Sequence, residues 1–138
     1  MNKSTSKTGS RIWIILTLLS LAGLAFIFEY SKTAGWTTAF TLIEIIFIAI
    51  LLFSFVMGYV RTGLWAFGHR SLKQLDEREL MVISHSLRTA YAIFTVLVLS
   101  FLLFVALTER SISMVCVVSF IIFAHLLPAS IVGWDEVV

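Results

Sequence analysis

Four apolar stretches of about twenty residues, set apart by short polar segments, dominate this chain of 138 residues. They lie at about residues 12–30, 37–60, 90–107 and 112–132. A bilayer core is about 30 Å thick and takes ~20 apolar residues to cross as a helix. Each stretch is continuously apolar rather than alternating, so membrane-spanning strands do not fit. Hydrophobic residues make up 59% of the chain and charged residues 13%. Soluble domains run at about 45–50% and roughly 25%. A water-soluble fold of this size has no interior large enough for that much apolar surface. The expected fold is an all-α membrane protein with four transmembrane helices. They form one domain over residues 1–138, with a cytoplasmic loop at 61–89.

Orientation follows from the basic residues in short loops, which collect on the cytoplasmic side. Lys3, Lys7 and Arg11 precede the first span, and Arg61, Arg70, Lys73, Arg78 and Arg88 sit between the second and third. Only Lys32 and Arg110 fall on the other side, so the division is eight against two. Both termini and the middle loop are therefore expected in the cytoplasm. Trp13, Tyr59, Trp65, Tyr91 and Trp134 would mark the inner interface, and Tyr30 and Trp36 the outer one. The first span is not expected to be a cleaved signal peptide. Its apolar run continues through Phe26, Ile27 and Phe28, beyond the length of an ordinary signal core.

The outer connections are short, about Ser31 to Trp36 and Thr108 to Arg110. Such links make consecutive helices antiparallel neighbours, so two helical hairpins closing into a four-helix bundle are expected. Small residues that permit close helix contact fall on the first span (Ser20, Ala22, Gly23) and on the fourth (Ser113, Cys116, Ala124). With one cysteine, Cys116, no intrachain disulfide forms. His69, His85 and His125 are scattered and short of acidic or thiol partners, so no metal site is expected.

The middle loop is the one sizeable polar segment. Arg61 to Gly68, with two glycines and the aromatics Trp65 and Phe67, reads as a turn in the headgroup region. Ser71 reads as a helix N-cap, with Gln74 completing a capping box. From Leu72 no breaker intervenes before Leu107, so a cytoplasmic helix is expected to run on into the third span. Leu72, Leu75, Val82, Ile83 and Leu87 share one face of it, interrupted by Asp76 and Glu79.

The string Leu75-Asp76-Glu77-Arg78-Glu79 is the most distinctive in the chain. With Val82 and Ala90-Tyr91 further on, it resembles a loop of uncharacterised small bacterial multi-pass membrane proteins. Those often carry an arginine shortly after the valine, where this chain has Ile83 and Ser84. The resemblance brings no activity with it. Asp76, Glu77, Arg78 and Glu79 fit a solvated first turn, with Lys73 and Glu77 paired four residues apart and the acids favoured by the helix dipole. They also fit a docking site for another subunit. Two adjacent acids without a converging histidine make a poor ligand set.

Glu44 and His125 are the polar candidates inside the membrane. Glu44 lies about 10 Å below the outer end of its span and His125 about 20 Å below its own, at 1.5 Å per residue. An acid at depth costs at least ~2.5–3.5 kcal/mol and usually faces a bundle interior or water. A neutral carboxyl bonded to Thr41 or to a neighbouring helix is the plainest role for Glu44, or a reach upward to Lys32 or Arg110. Proton or ion handling and ligand binding are the sharper ones. Pro128 frees the carbonyl of Ala124 beside His125, so a kink is expected there. Glu29 is expected simply to extend its carboxylate to the outer surface.

No nucleophile–base pair, phosphate loop, haem-ligand pair or metal motif is present, so an enzyme and a cofactor are not expected. A net charge of +2 does not call for nucleic acid. The sequence points to a small membrane subunit or regulator. It would act through helix packing and through a loop helix that contacts a protein partner or a second copy. A proton- or ion-coupled transporter or channel subunit using Glu44 and His125 is the alternative.

Overall fold

The computed structural model describes residues 7–70 and 76–135. Ser71, Leu72, Lys73, Gln74 and Leu75 lie outside the described residues, as does the chain beyond Asp135. Among the described residues the α-helices stand in this order: α1 (Lys7–Ala34), α2 (Thr38–Phe55), α3 (Leu64–Gly68), α4 (Glu77–Thr108) and α5 (Met114–Asp135). A π-helical turn, Val56–Val60, continues α2. Among the described residues, four helical stretches are long and apolar enough to cross a membrane: Gly9–Ala34, Thr38–Val60, Glu77–Thr108 and Met114–Trp134.

The connections are tighter than the hydropathy alone predicts. α1 runs on to Ala34 and turns at Gly35, whose φ of 91° needs no Cβ in the way. Thr37 then caps α2, its hydroxyl accepting from the Phe40 amide at 3.4 Å. α4 ends with Glu109 in the left-handed region at φ 50°. At 32 residues, α4 is ~48 Å long and exceeds a ~30 Å bilayer core by several turns. The loop helix and the third span are thus one continuous element.

Packing pairs α2 with α1, α1 with α5, and α5 with α4. Between α1 and α2, Trp13 meets Gly58, Thr17 meets Ser54 and Tyr30 meets Phe40, so the two run in opposite directions. Between α1 and α5, Arg11 reaches the Trp134 carbonyl at 2.7 Å while Glu29 accepts from the Ser113 amide at 2.8 Å, again antiparallel. The helices therefore stand in a row, α2–α1–α5–α4, rather than in the closed bundle expected from the short links. Those links fix only sequence neighbours. Closure would need the long connection to bring α2 against α4, and part of that connection is spent folding α3 back over α5. Lipid makes the open row tolerable, because it solvates apolar faces as well as another helix does. Ile45, Ile46 and Leu52 on α2, and Val96, Leu99 and Leu103 on α4, are all exposed.

Where helices touch, small and hydroxyl side chains sit in the seam. The Thr17 hydroxyl donates to Ser54 Oγ at 3.0 Å, with both residues fully buried. Tyr59, expected at the headgroup boundary, is instead wholly buried and shares a 2.7 Å hydrogen bond with Ser130 of α5. The π turn explains this difference. Its i to i+5 bond, from the Arg61 amide to the Val56 carbonyl at 2.9 Å, adds a residue to the turn and rotates its side chains relative to the rest of α2. Tyr59 joins Ile14, Leu64, Leu126 and Val132 in a buried hydrophobic cluster. Leu64 fits because Gly133 leaves room: a Cβ there would stand 2.6 Å from a Leu64 methyl.

Candidate functional site

Asp76, Glu77, Arg78 and Glu79 divide into two pairs. Asp76 is extended, with φ −78° and ψ 170°, and caps α4. Its Oδ1 accepts from the Glu79 amide at 2.7 Å, and Glu79 Oε2 accepts from the Asp76 amide at 3.2 Å. The helix that enters the third span thus begins at Glu77, not at Leu72. Two capping boxes are written in this stretch, Ser71 with Gln74 and Asp76 with Glu79, and the second has the stronger acceptor and the charge that the helix N-terminus favours. Glu79 also pairs with Arg70 at 3.5 Å. Glu77 and Arg78 are exposed and make no hydrogen bond or ion pair among the described residues.

Glu44 occupies the α1-facing side of α2, on the same stripe as Phe40, Phe47 and Ser54, each of which touches α1. Its Oε1 is buried and has no hydrogen-bond partner among the described residues. Two of the expected partners, Thr41 and Lys32, are engaged elsewhere. The Thr41 hydroxyl donates to the Thr37 carbonyl at 3.4 Å. Lys32 donates to the Ser111 carbonyl and hydroxyl at 2.9 and 3.0 Å and pairs with Glu29 at 3.5 Å. Glu29 is therefore no idle surface group: it ties the last turn of α1 to the start of α5 through the Ser113 amide.

His125 does not approach Glu44. Matching each helix to its contacts on α1 puts the two about 10 Å apart in depth at 1.5 Å per residue, and α2 packs chiefly on α1 rather than on α5. His125 instead meets His69, Nε2 to Nε2, at 3.3 Å. The His69 Nδ1 lies 2.8 Å from the Trp65 carbonyl. A carbonyl only accepts, so His69 Nδ1 carries a proton. With both rings neutral, His125 Nε2–H then donates to His69 Nε2. Trp65 closes the cluster, its ring centroid 4.3 Å from that of His69 and 5.4 Å from that of His125.

This cluster was hidden in the sequence, where its histidines stand 56 positions apart. The residues expected to form a simple turn build α3 instead, and α3 carries Trp65 and His69 onto α5. Gly63, at φ 79°, starts that reversal. Among the described residues, no three histidine, cysteine or acidic side chains converge as a metal-binding group. What the pair offers is a proton held between two rings, fastening the middle loop to α5. No family model, curated protein or solved structure matches the chain.

Proposed function

We propose that this small integral membrane protein is a subunit or regulator of a bacterial inner membrane, with both termini cytoplasmic and no catalytic chemistry of its own. Its two helical hairpins are joined through α1 and α5, and it assembles laterally with a membrane-protein partner or a second copy. The observation that carries this reading is the open row. α2 and α4 each have one neighbour along most of their length, and their remaining faces are long, apolar and exposed. At the start of α4, Glu77 and Arg78 add an outward pair of opposite charges available to a cytoplasmic partner. Acidic and basic side chains at an interface rim chiefly set partner choice and approach rate.

The bacterial assignment rests on the loop resemblance, and the orientation on the eight-to-two division of basic residues. A proton- or ion-coupled role keeps one observation in its favour, the buried and unpartnered oxygen of Glu44. The separation of Glu44 from His125 weighs against a path that uses both.

Purification of the full chain in mild detergent tests the reading. A discrete complex, hetero- or homo-oligomeric, is expected. Replacing Glu77 and Arg78 together by alanine should lower partner recovery severalfold while stability changes by less than about 1 kcal/mol, since exposed ion pairs contribute little. Asp76→Ala is the contrasting variant. It removes the cap of α4 and should cost about 1 kcal/mol of stability. A lone monomer that carries a proton-linked flux after reconstitution would replace the subunit reading with the transporter one.

A further inference from the structure

Because α1 and α4 both lean on α5 without packing closely on each other, a cavity opens between them in the half of the molecule opposite α3. Its volume is about 630 Å³, within the ~300–1,000 Å³ range of ligand sites. Small residues make the room: Ala22 and Ala25 on α1, and Cys116 and Ser119 on α5. We propose that this cavity holds one anionic phospholipid, with its phosphate at Arg110 and an acyl chain in the apolar body below.

Three observations select this occupant. The first is polarity. Lys32, Arg110 and Ser111 lie at one end, while Phe101, Phe120 and Phe123 line the interior. That is the gradient of a lipid, polar at the boundary and hydrocarbon beneath. The second is length. Along α1 the lining runs from Thr33 to Leu21, twelve positions or ~18 Å, a little over half of a ~30 Å bilayer core. The cavity is thus one leaflet deep. The third is charge. Glu29 is neutralised internally, one oxygen accepting from Ser113 and the other paired with Lys32. Arg110 makes no hydrogen bond or ion pair among the described residues, so its guanidinium at the rim is free to meet a phosphate. A guanidinium offers paired N–H donors that match phosphate oxygens.

The inference rests on the chain spanning a membrane, and its test keeps the two apart. Membrane association resistant to alkaline extraction is measured first; its loss would overturn the membrane-spanning reading itself. Binding of phosphatidylglycerol and of phosphatidylcholine with identical acyl chains is then measured on the detergent-purified full chain by native mass spectrometry. Phosphatidylglycerol should bind about five- to tenfold more tightly, the effect of one well-placed basic residue on an anionic lipid. Arg110→Gln should abolish the preference and leave phosphatidylcholine binding in place, and Arg110→Lys should retain most of it. Ala25→Phe, which fills the apolar body, should weaken both lipids. Equal binding of the two lipids by the wild-type chain, a preference that survives in Arg110→Gln, or unchanged binding in Ala25→Phe would overturn the proposal.

Discussion

Replacing Gly58 by leucine should separate α1 from α2 and cost about 3 kcal/mol or more, beyond the ~1–3 kcal/mol typical of overpacked cores. The reason is what a side chain would meet. A Cβ on Gly58 stands 3.1 Å from the Trp13 Cβ, 3.3 Å from the Trp13 carbonyl carbon and 3.4 Å from the Ile14 amide nitrogen. Two of these are backbone atoms, and they have no rotamer to escape into. Alanine needs a shift of only a few tenths of an ångström, and its higher helix propensity, worth about 1 kcal/mol over glycine, offsets much of that. Gly58→Ala should therefore remain close to wild type while Gly58→Leu unfolds at far lower temperature in detergent. In a membrane the contrast is sharpened, because helix association there draws on close van der Waals packing rather than on expulsion of water. If leucine is accepted at Gly58 without loss, the α1–α2 seam does not have this register.

Glu44 gives the second large effect, and its sign depends on the substitution. Its buried oxygen has no partner among the described residues, and an unsatisfied buried polar group costs about 1–3 kcal/mol. Glu44→Leu removes that cost at similar volume and should raise stability by about 1 kcal/mol. Glu44→Gln keeps a polar group in the seam and should be nearly neutral. Glu44→Lys places an ammonium between α1 and α2 and should destabilise by about 3 kcal/mol, the scale of a basic residue at depth. Unfolding in detergent, with all three variants side by side, decides among these. The same set separates roles. If leucine and glutamine both fold well, yet glutamine abolishes a growth or transport phenotype, the titratable proton is what the protein uses. A gain in stability that accompanies a loss of function would mark Glu44 as a group kept at a structural cost.

The spans were legible because hydropathy is a property of single residues summed over a window. Continuous apolar runs at 37–60 and 112–132 name their helices without any knowledge of neighbours. The continuity of α4 with the loop helix was legible for a similar reason, the absence of any breaker before Thr108. What escaped the sequence was every feature that depends on a distant partner. Tyr59 carries the signature of an interfacial aromatic, and only the π turn beneath it aims the ring at Ser130 instead. His69 and His125 meet because Gly63 reverses the chain, and nothing near His125 in sequence signals a second ring. The cap of α4 was within reach, since Asp76 and Glu79 have capping-box spacing, but Ser71 and Gln74 have it too. The row escaped for a physical reason. In lipid no hydrophobic penalty forces four helices to close, so the inference from short loops to a closed bundle fails where it would serve in water.

The proposed membrane-spanning arrangement, with both ends and the middle loop on the cytoplasmic side, underlies the subunit reading and the placing of Glu77 and Arg78 before a cytoplasmic partner. A topology reporter that is active only in the cytoplasm tests it most directly, placed after Val138, near Gln74, and between Glu109 and Arg110. Eight of the ten basic residues flank the side that the first two positions report on, and basic residues in short loops are retained in the cytoplasm. Activity at Val138 and near Gln74, with silence between Glu109 and Arg110, is the predicted result. An external reading at Val138 or near Gln74 would contradict the account.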